Sequence, residues 1–250
     1  MKLVKIAAVG VLSTAAVLSF ASGAYAAPSS LAQTTSKGYV TFKEDTSVTP
    51  PLDPSSPDPK NPVVPDPGAK HPVEPGTGGS LSIDRASNIE FGDQDISAAD
   101  QDYYAKLDKL LLQDGTTKQV PNYVQVTDKR GTSAGWTLQV TQQGQFKSAV
   151  NGNILVGAQL SFANINTNGT SLAAPPTPAT DFEIEVAHIG QANTVLTAAA
   201  GKGMGTWFAN FGTSANGEKS IKLHVPGTSI KAANEEYSTT LTWNLLDGPL

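Results

Sequence analysis

The sequence predicts an all-β fold: a β-sandwich or barrel-like single domain with a long proline-rich loop and at most one or two short helices. Three observations predict it. Short runs of alternating polar and apolar residues recur along most of the chain, each compatible with one buried and one wet face. Clusters of Gly, Asn, Asp and Pro divide these runs at close intervals, as turns between short strands require. The length suits one β domain, since sandwiches and barrels commonly run to roughly 200–250 residues.

The amino terminus is the first element. Lys2 and Lys5 precede an apolar stretch over residues 6–20, and Ala24-Tyr25-Ala26 has the small-x-small pattern of a signal peptidase site. Residues 1–26 are therefore expected to be a secretory signal peptide. A membrane span needs roughly 20 apolar residues, and Gly10, Ser13, Thr14 and Ser19 interrupt this shorter stretch, so cleavage is favoured over a retained anchor and no membrane association is expected afterwards. Cleavage leaves 15 Lys and Arg against 22 Asp and Glu, a net charge of −7. Such a chain, with no basic cluster, is a poor partner for nucleic acid or anionic polymer. An anionic ligand would have to be held by shape, stacking and hydrogen bonds. With no cysteine in an exported chain, stability must come from burial and sheet pairing.

Residues 27–49 contain Gly38-Tyr-Val-Thr-Phe-Lys-Glu-Asp45, expected to be a strand that joins the main sheet with Tyr39 or Phe42 buried; a disordered tail is the alternative. Residues 50–79 carry ten of the 17 prolines and close on Gly76-Thr-Gly-Gly79. They read as a semi-rigid, polyproline-like spacer that loops out of the domain and packs no core. Residues 80–250 are the expected main β domain. Its strands are expected over 81–84, 124–128, 136–141, 159–162, 182–186, 221–225 and 237–245, with turns at 128–131, 151–153, 166–169, 216–217 and 226–227. Residues 98–113, with Tyr103, Leu107, Leu110 and Leu111, fit neither period cleanly, and 194–200 is expected to be a short helix or loop.

Two of the expected strands carry Trp-x-Leu: Gly135-Trp136-Thr137-Leu138-Gln139-Val140, and Tyr237-Ser-Thr-Thr-Leu241-Thr-Trp243-Asn244-Leu245. Other segments accompany them: the Gly38-Tyr-Val-Thr-Phe42 run, the proline and aspartate run, Val124-Gln-Val-Thr-Asp128, and the Ala-Ala-Ala-Gly-Lys-Gly-Met-Gly-Thr-Trp series ending at Trp207. Together they resemble the WxL-domain surface proteins of low-GC Gram-positive bacteria over essentially the whole secreted chain. The resemblance implies a secreted protein at the cell surface, held non-covalently to the wall through peptidoglycan and exported alongside other surface proteins as partners. No Leu-Pro-x-Thr-Gly sorting signal precedes Leu250, so covalent attachment is not expected.

Residues two apart on a strand share a face, so Trp136, Leu138 and Val140 point one way, as do Leu241, Trp243 and Leu245. Two readings stay open. Either these side chains fill the core, or at least one indole stands at the rim to stack on a sugar ring while neighbouring groups bond its hydroxyls. The candidate ligand-binding residues are Trp136, Leu138, Trp243, Leu245, Thr137 and Asn244. The polar faces, Thr137, Gln139 and Thr141 with Ser238, Thr240, Thr242 and Asn244, offer a second surface. Trp207, Phe208 and Phe211, within the glycine-rich run 201–212, read either as a flexible turn over the core or as a close approach for a ligand.

Catalytic patterns fare worse. Gly131-Thr-Ser133-Ala-Gly135 matches the Gly-x-Ser-x-Gly elbow in letters, but a β-strand follows it where a helix is required. His71, His188 and His224 are too dispersed for a zinc site. Asp93, Asp95 and Asp100 have alternate oxygen ligands but lack the glycine and terminal glutamate of a calcium loop, so an acidic turn is favoured over a calcium site. No catalytic residue, metal or cofactor is expected, and the chain is not expected to be an enzyme. A glycosidase would need two facing carboxylates, and none stand out. The expected function is peptidoglycan binding; the alternative is an interaction subunit docking on other cell-surface or host proteins.

Overall fold

The computed structural model describes residues 32–250, so the expected signal peptide lies outside the described residues. Residues 32–41 are the described part of one unit and carry no regular secondary structure; Phe42–Leu250 form a second, compact unit.

The second unit is all-β. Its strands, in chain order, are β1 (Val64–Pro65), β2 (Leu81–Ala86), β3 (Gln101–Tyr104), β4 (Asp108–Leu111), β5 (Thr117–Val120) and β6 (Tyr123–Asp128). There follow β7 (Trp136–Gln142), β8 (Lys147–Ser148), β9 (Gln159–Phe162), β10 (Ile165–Gly169), β11 (Thr177–Pro178) and β12 (Phe182–Ile184). The last are β13 (Ala192–Ala198), β14 (Gly205–Phe211), β15 (Ile221–Val225), β16 (Tyr237–Ser238) and β17 (Leu241–Asp247). Only two single 3-10 turns, Val186–His188 and Gly217–Lys219, interrupt the β structure among the described residues.

Three four-stranded sheets wall one core: β10-β14-β6-β2, β11-β13-β7-β17 and β12-β9-β15-β3. A three-stranded sheet, β1-β4-β5, and a ribbon, β16-β8, complete the unit. Edge strand β2 lies against β17, and β10 against β11, so the β6 and β7 sheets approach along both borders. The arrangement is a ring of sheets and not a plain two-layer sandwich. Val124 and Val126, Leu138 and Val140, and Leu160 and Leu223 bring the three sheets into one apolar cluster. Each such side chain, fully buried, is worth roughly 1.5–3 kcal/mol.

The proline-rich segment does not behave as a spacer. Leu52 and Val63 are both 3 % exposed and pack with Leu110, Val120, Tyr123 and Phe208 in a second apolar cluster on the outer face of the β6 sheet. The backbone of the segment is read by side chains of that sheet. Leu52 N–H donates to Gln125 Oε1 (2.8 Å), Gln125 Nε2 to the Pro50 carbonyl (3.0 Å), Tyr123 Oη to the Leu52 carbonyl (2.9 Å) and Asn168 Nδ2 to the Pro54 carbonyl (2.7 Å). Proline removes N–H donors but leaves its carbonyls free to accept, which suits a cover held by sheet side chains. Farther along, His71 bridges Glu90 (2.6 Å) and Glu236 (3.1 Å), and Lys70 pairs with Glu236.

The strand expected over 38–45 is not formed: Tyr39 and Phe42 are each 88 % exposed. The edge of β2 is already occupied, because Thr77 N–H donates to the Ile83 carbonyl (2.7 Å) and Ile83 N–H to Thr77 Oγ1 (2.9 Å). Residues 194–200, expected as helix or loop, lie mostly in β13. A register shift between Thr194 and Leu196 buries the adjacent Val195 and Leu196, breaking the two-residue period that marks a strand. Residues 166–169, expected as a turn, belong to β10, where Asn210 Nδ2 bonds the Asn168 side chain (2.8 Å) across the pair. The run 201–212 is mainly β14, a central strand buried on both faces. Residues 98–113 contain β3 and β4.

Candidate functional site

The two Trp-x-Leu strands are direct antiparallel neighbours. β7 and β17 pair with Leu138 opposite Leu245, Val140 opposite Trp243 and Trp136 opposite Asp247. Directly opposed residues share a face, so one side of this pair presents Trp136, Leu138, Val140, Trp243 and Leu245, and all five join the central core. The two indoles do not form one aromatic region, since they stand opposite different partners at different points along the ladder.

Trp136 is 0 % exposed, and its Nε1–H donates to the Gly203 carbonyl at 2.9 Å. The backbone reaches the indole this closely because residue 203 has no Cβ: one placed there would lie 2.7 Å from Nε1, and φ is +76°. The start of β7 is fixed by Arg130, which bonds both Asp128 oxygens (2.9 and 2.8 Å), the Gly135 carbonyl (2.8 Å) and Asp247 at the end of β17. Asp128 holds the Arg130 guanidinium still more firmly in its charged form. Trp243 is half-buried and stands 6.0 Å from the Phe211 ring, which lies 5.2 Å from Phe162, itself stacked 5.1 Å from Phe182. Trp136, Leu138 and Val140 are therefore core residues, beyond the reach of a surface ligand.

The opposite side of the same two strands is polar apart from Leu246. Leu246 stands opposite Thr137, Asn244 opposite Gln139, and Thr242 opposite Thr141, while Gln143 N–H reaches the Thr240 carbonyl (2.9 Å). Asn244, Gln143 and Thr240 are exposed, and Gln139 and Thr242 half-buried. Thr137 is covered: its hydroxyl donates to the Gly248 carbonyl (3.1 Å) and accepts from Leu250 N–H (3.2 Å). Of the six candidate residues, Asn244 alone stands fully at the surface, with Trp243 and Leu245 half-buried against the core. The row Gln139, Thr242, Gln143 and Thr240, readable from the two-residue period, carries no charge.

Ser133 sits in an irregular segment, with φ 54°, directly before β7, so the Gly-x-Ser-x-Gly letters do not build a strand–turn–helix elbow. Among the described residues, no three His, Cys, Asp or Glu side chains converge as a metal would require. Asp100 Oδ1 accepts from Gly227 N–H (2.8 Å) and so serves a turn. His224 bonds Asp102 at 2.8 Å, and this partner, with Lys222, holds the Asp102 carboxyl below the usual range. Among the described residues no helix is long and apolar enough to cross a membrane.

Comparison with known proteins agrees with the motifs. A family model described as WxL domain surface cell wall-binding matches residues 29–249. No curated protein and no solved structure matches the chain.

Proposed function

Because the chain belongs to the WxL domain surface cell wall-binding family, we propose that it attaches non-covalently to peptidoglycan through the outer polar row of β7 and β17. The observation that carries this reading is the division of labour between the faces of the two motif strands. Their large apolar side chains are committed to the core, while Gln139, Thr242 and Asn244 face outward. Neutral amides and hydroxyls on a sheet bond sugar hydroxyls without meeting the repulsion that an acidic protein, of charge −5 over the full chain, feels toward an anionic wall. The tryptophans act through the fold: they pack the inner face of the two paired strands into the core.

The test is co-sedimentation of the secreted protein with purified peptidoglycan sacculi. The wild type binds, and a Gln139→Ala/Asn244→Ala variant with unchanged melting binds at least tenfold more weakly. Full binding by that variant moves the site off this row.

A further inference from the structure

Beyond the end of the β7–β17 ladder the two chains part. Gln143 N–H still reaches the Thr240 carbonyl, but the next carbonyl, of Gly144, is taken by side chains: Thr239 Oγ1 donates to it at 2.7 Å and Gln142 Nε2 at 2.8 Å. Backbone pairing resumes only in the ribbon, where Lys147 stands opposite Ser238 and Ser148 opposite Tyr237. The lapse opens a cleft of about 560 Å³, within the roughly 300–1,000 Å³ of small-molecule sites.

Gln143, Gly144, Gln145, Lys147, Ser238 and Thr240 are among its lining residues. The lining has one charge, the Lys147 ammonium, no aromatic ring and no aliphatic side chain larger than that of Ala149. Among the described residues, the hydroxyls of Ser238 and Thr240 and the ammonium of Lys147 have no hydrogen-bond partner. Ser238 and Thr240 continue the two-residue row of Thr242 and Asn244, so cleft and outer row lie in one line. From Ser238 to Asn244 that line is about 20 Å at the rise of a β-strand.

We propose that this cleft is a glycan subsite that takes about two uncharged pyranose rings of the wall polymer. The inference rests on the wall-attachment reading and names the part of the polymer that is held. The hydroxyls of Ser238 and Thr240 match ring hydroxyls and acetamido groups, and Lys147 donates to a glycan oxygen; the two lining amides are already engaged, Gln143 Nε2 with Thr242 Oγ1 (2.8 Å) and Gln145 Nε2 with the Ala158 carbonyl (2.7 Å). A phosphate polymer, charged at every repeat, would require more than one cation, and a stem peptide, with its carboxylates and amines, would require charge partners of both signs where the lining offers Lys147 alone. Gly144 lines the cleft, and a Cβ added there meets no atom within 4 Å, so a larger side chain has open space to enter without a clash.

The experiment is an NMR titration of the secreted chain with an N-acetylglucosamine tetramer, a stem-type tetrapeptide and polyglycerol phosphate, run beside sacculus co-sedimentation. Saturable shifts at residues 143–147 and 238–240 with the tetramer alone, weakened at least tenfold in Ser238→Ala/Thr240→Ala and in Gly144→Leu at unchanged melting temperature, support the subsite. Equal tetramer affinity in both variants overturns it, as does a response at these residues to the peptide or phosphate polymer in place of the tetramer. If the variants bind sacculi as the wild type does, the subsite falls and wall attachment stands. If the wild type binds tetramer in the cleft but no sacculi, wall attachment falls and the glycan site stands.

Discussion

Gln125 and Gln139 occupy matching places, each on a central strand of a four-stranded sheet and each on the sheet's outer side, yet they have opposite fates. Gln125 is 0 % exposed and both ends of its amide are used, by Leu52 N–H, the Pro50 carbonyl and Asp84 Oδ2. Gln139 is half-buried, and its amide makes one long bond, to Thr194 Oγ1 at 3.4 Å. The difference lies in what covers the sheet. The β6 sheet carries the proline-rich segment on its outer side, which turns polar residues into structural ones; on the β7 sheet only the C-terminal residues cover the outer row, at Thr137, and beyond them Gln139 and Asn244 stay open to solvent while Gln143 Nε2 bonds Thr242 Oγ1 (2.8 Å) within the row. Similar strand chemistry therefore yields a foundation on one side of the molecule and a surface on the other.

Asp84, under the cover, shows what the burial costs. It is the bulged residue of β2, and burial pushes its carboxyl above the usual range although Thr127, Ser82 and Gln125 donate to it. Arg85 beside it pairs with Asp108 at 2.6 Å and lies 4.7 Å from the Tyr123 ring centre. The cover does not satisfy every group: Arg85 Nε and Nη2 are buried with no hydrogen-bond partner among the described residues, and an unpaired buried donor or acceptor costs about 1–3 kcal/mol.

The comparison can be broken or sharpened by substitution. The largest effect is expected in the core that both sheets share: Trp136→Ala removes a fully buried indole and should cost about 3–5 kcal/mol, read as a lower melting temperature, with wall binding lost only as the fold is lost. Leu52→Ala on the cover should cost about 2–3 kcal/mol, although this residue lies in the segment whose composition reads as a spacer. A melting temperature unchanged by that substitution would show that the segment is not part of the folded unit. Gln125→Ala should cost about 1–3 kcal/mol by stranding the Leu52 N–H and the Pro50 carbonyl, whereas Gln139→Ala should stay within about 0.5 kcal/mol of wild type in denaturant unfolding. Equal costs for the two glutamines would remove the distinction between the faces.

The smallest effect concerns pH. The hydrogen bond that the His71 imidazole donates to Glu90, aided by the charges of Glu90 and Glu236, raises His71 above its ordinary value of 6.5, against the opposing effect of burial. A raised folded value means that the contribution is fully present below about pH 6.5 and is lost as pH rises through the folded value. Amide exchange at residues 70–74 should accordingly quicken on passing from pH 6 to above that value. His71→Gln should flatten the response.

Much of the fold was legible because its signals are local. The strands over 159–162 and 221–225 match β9 and β15 from end to end, and the first motif strand coincides closely with β7; the strand expected over 237–245 is split, its start pairing with β8 as β16 and its remainder running on as β17 to Asp247. The failures share a cause. Residues 194–200 fail at a bulge, where Val195 and Leu196 are both buried, and 166–169 fail because asparagines that favour turns are held in β10 by amide bonds to β14. The proline segment fails because composition reports what a stretch does alone, whereas Leu52 and Val63 find apolar partners on distant strands. The candidate site was half legible: the polar row follows from the two-residue period, but nothing local shows that the C-terminal residues cap Thr137 or that the ladder lapses at Gly144.

By itself the sequence determined the all-β class, the family and the pairing of each large apolar residue with a polar neighbour on the motif strands. These follow from side-chain alternation and from motif spacing, which the chain carries wherever it folds. Only the tertiary structure decided which face of each sheet is covered. Burial on both sides depends on a partner segment arriving from elsewhere in the chain, as the proline run arrives on β6, and no property of Gln125 or Gln139 alone distinguishes the two.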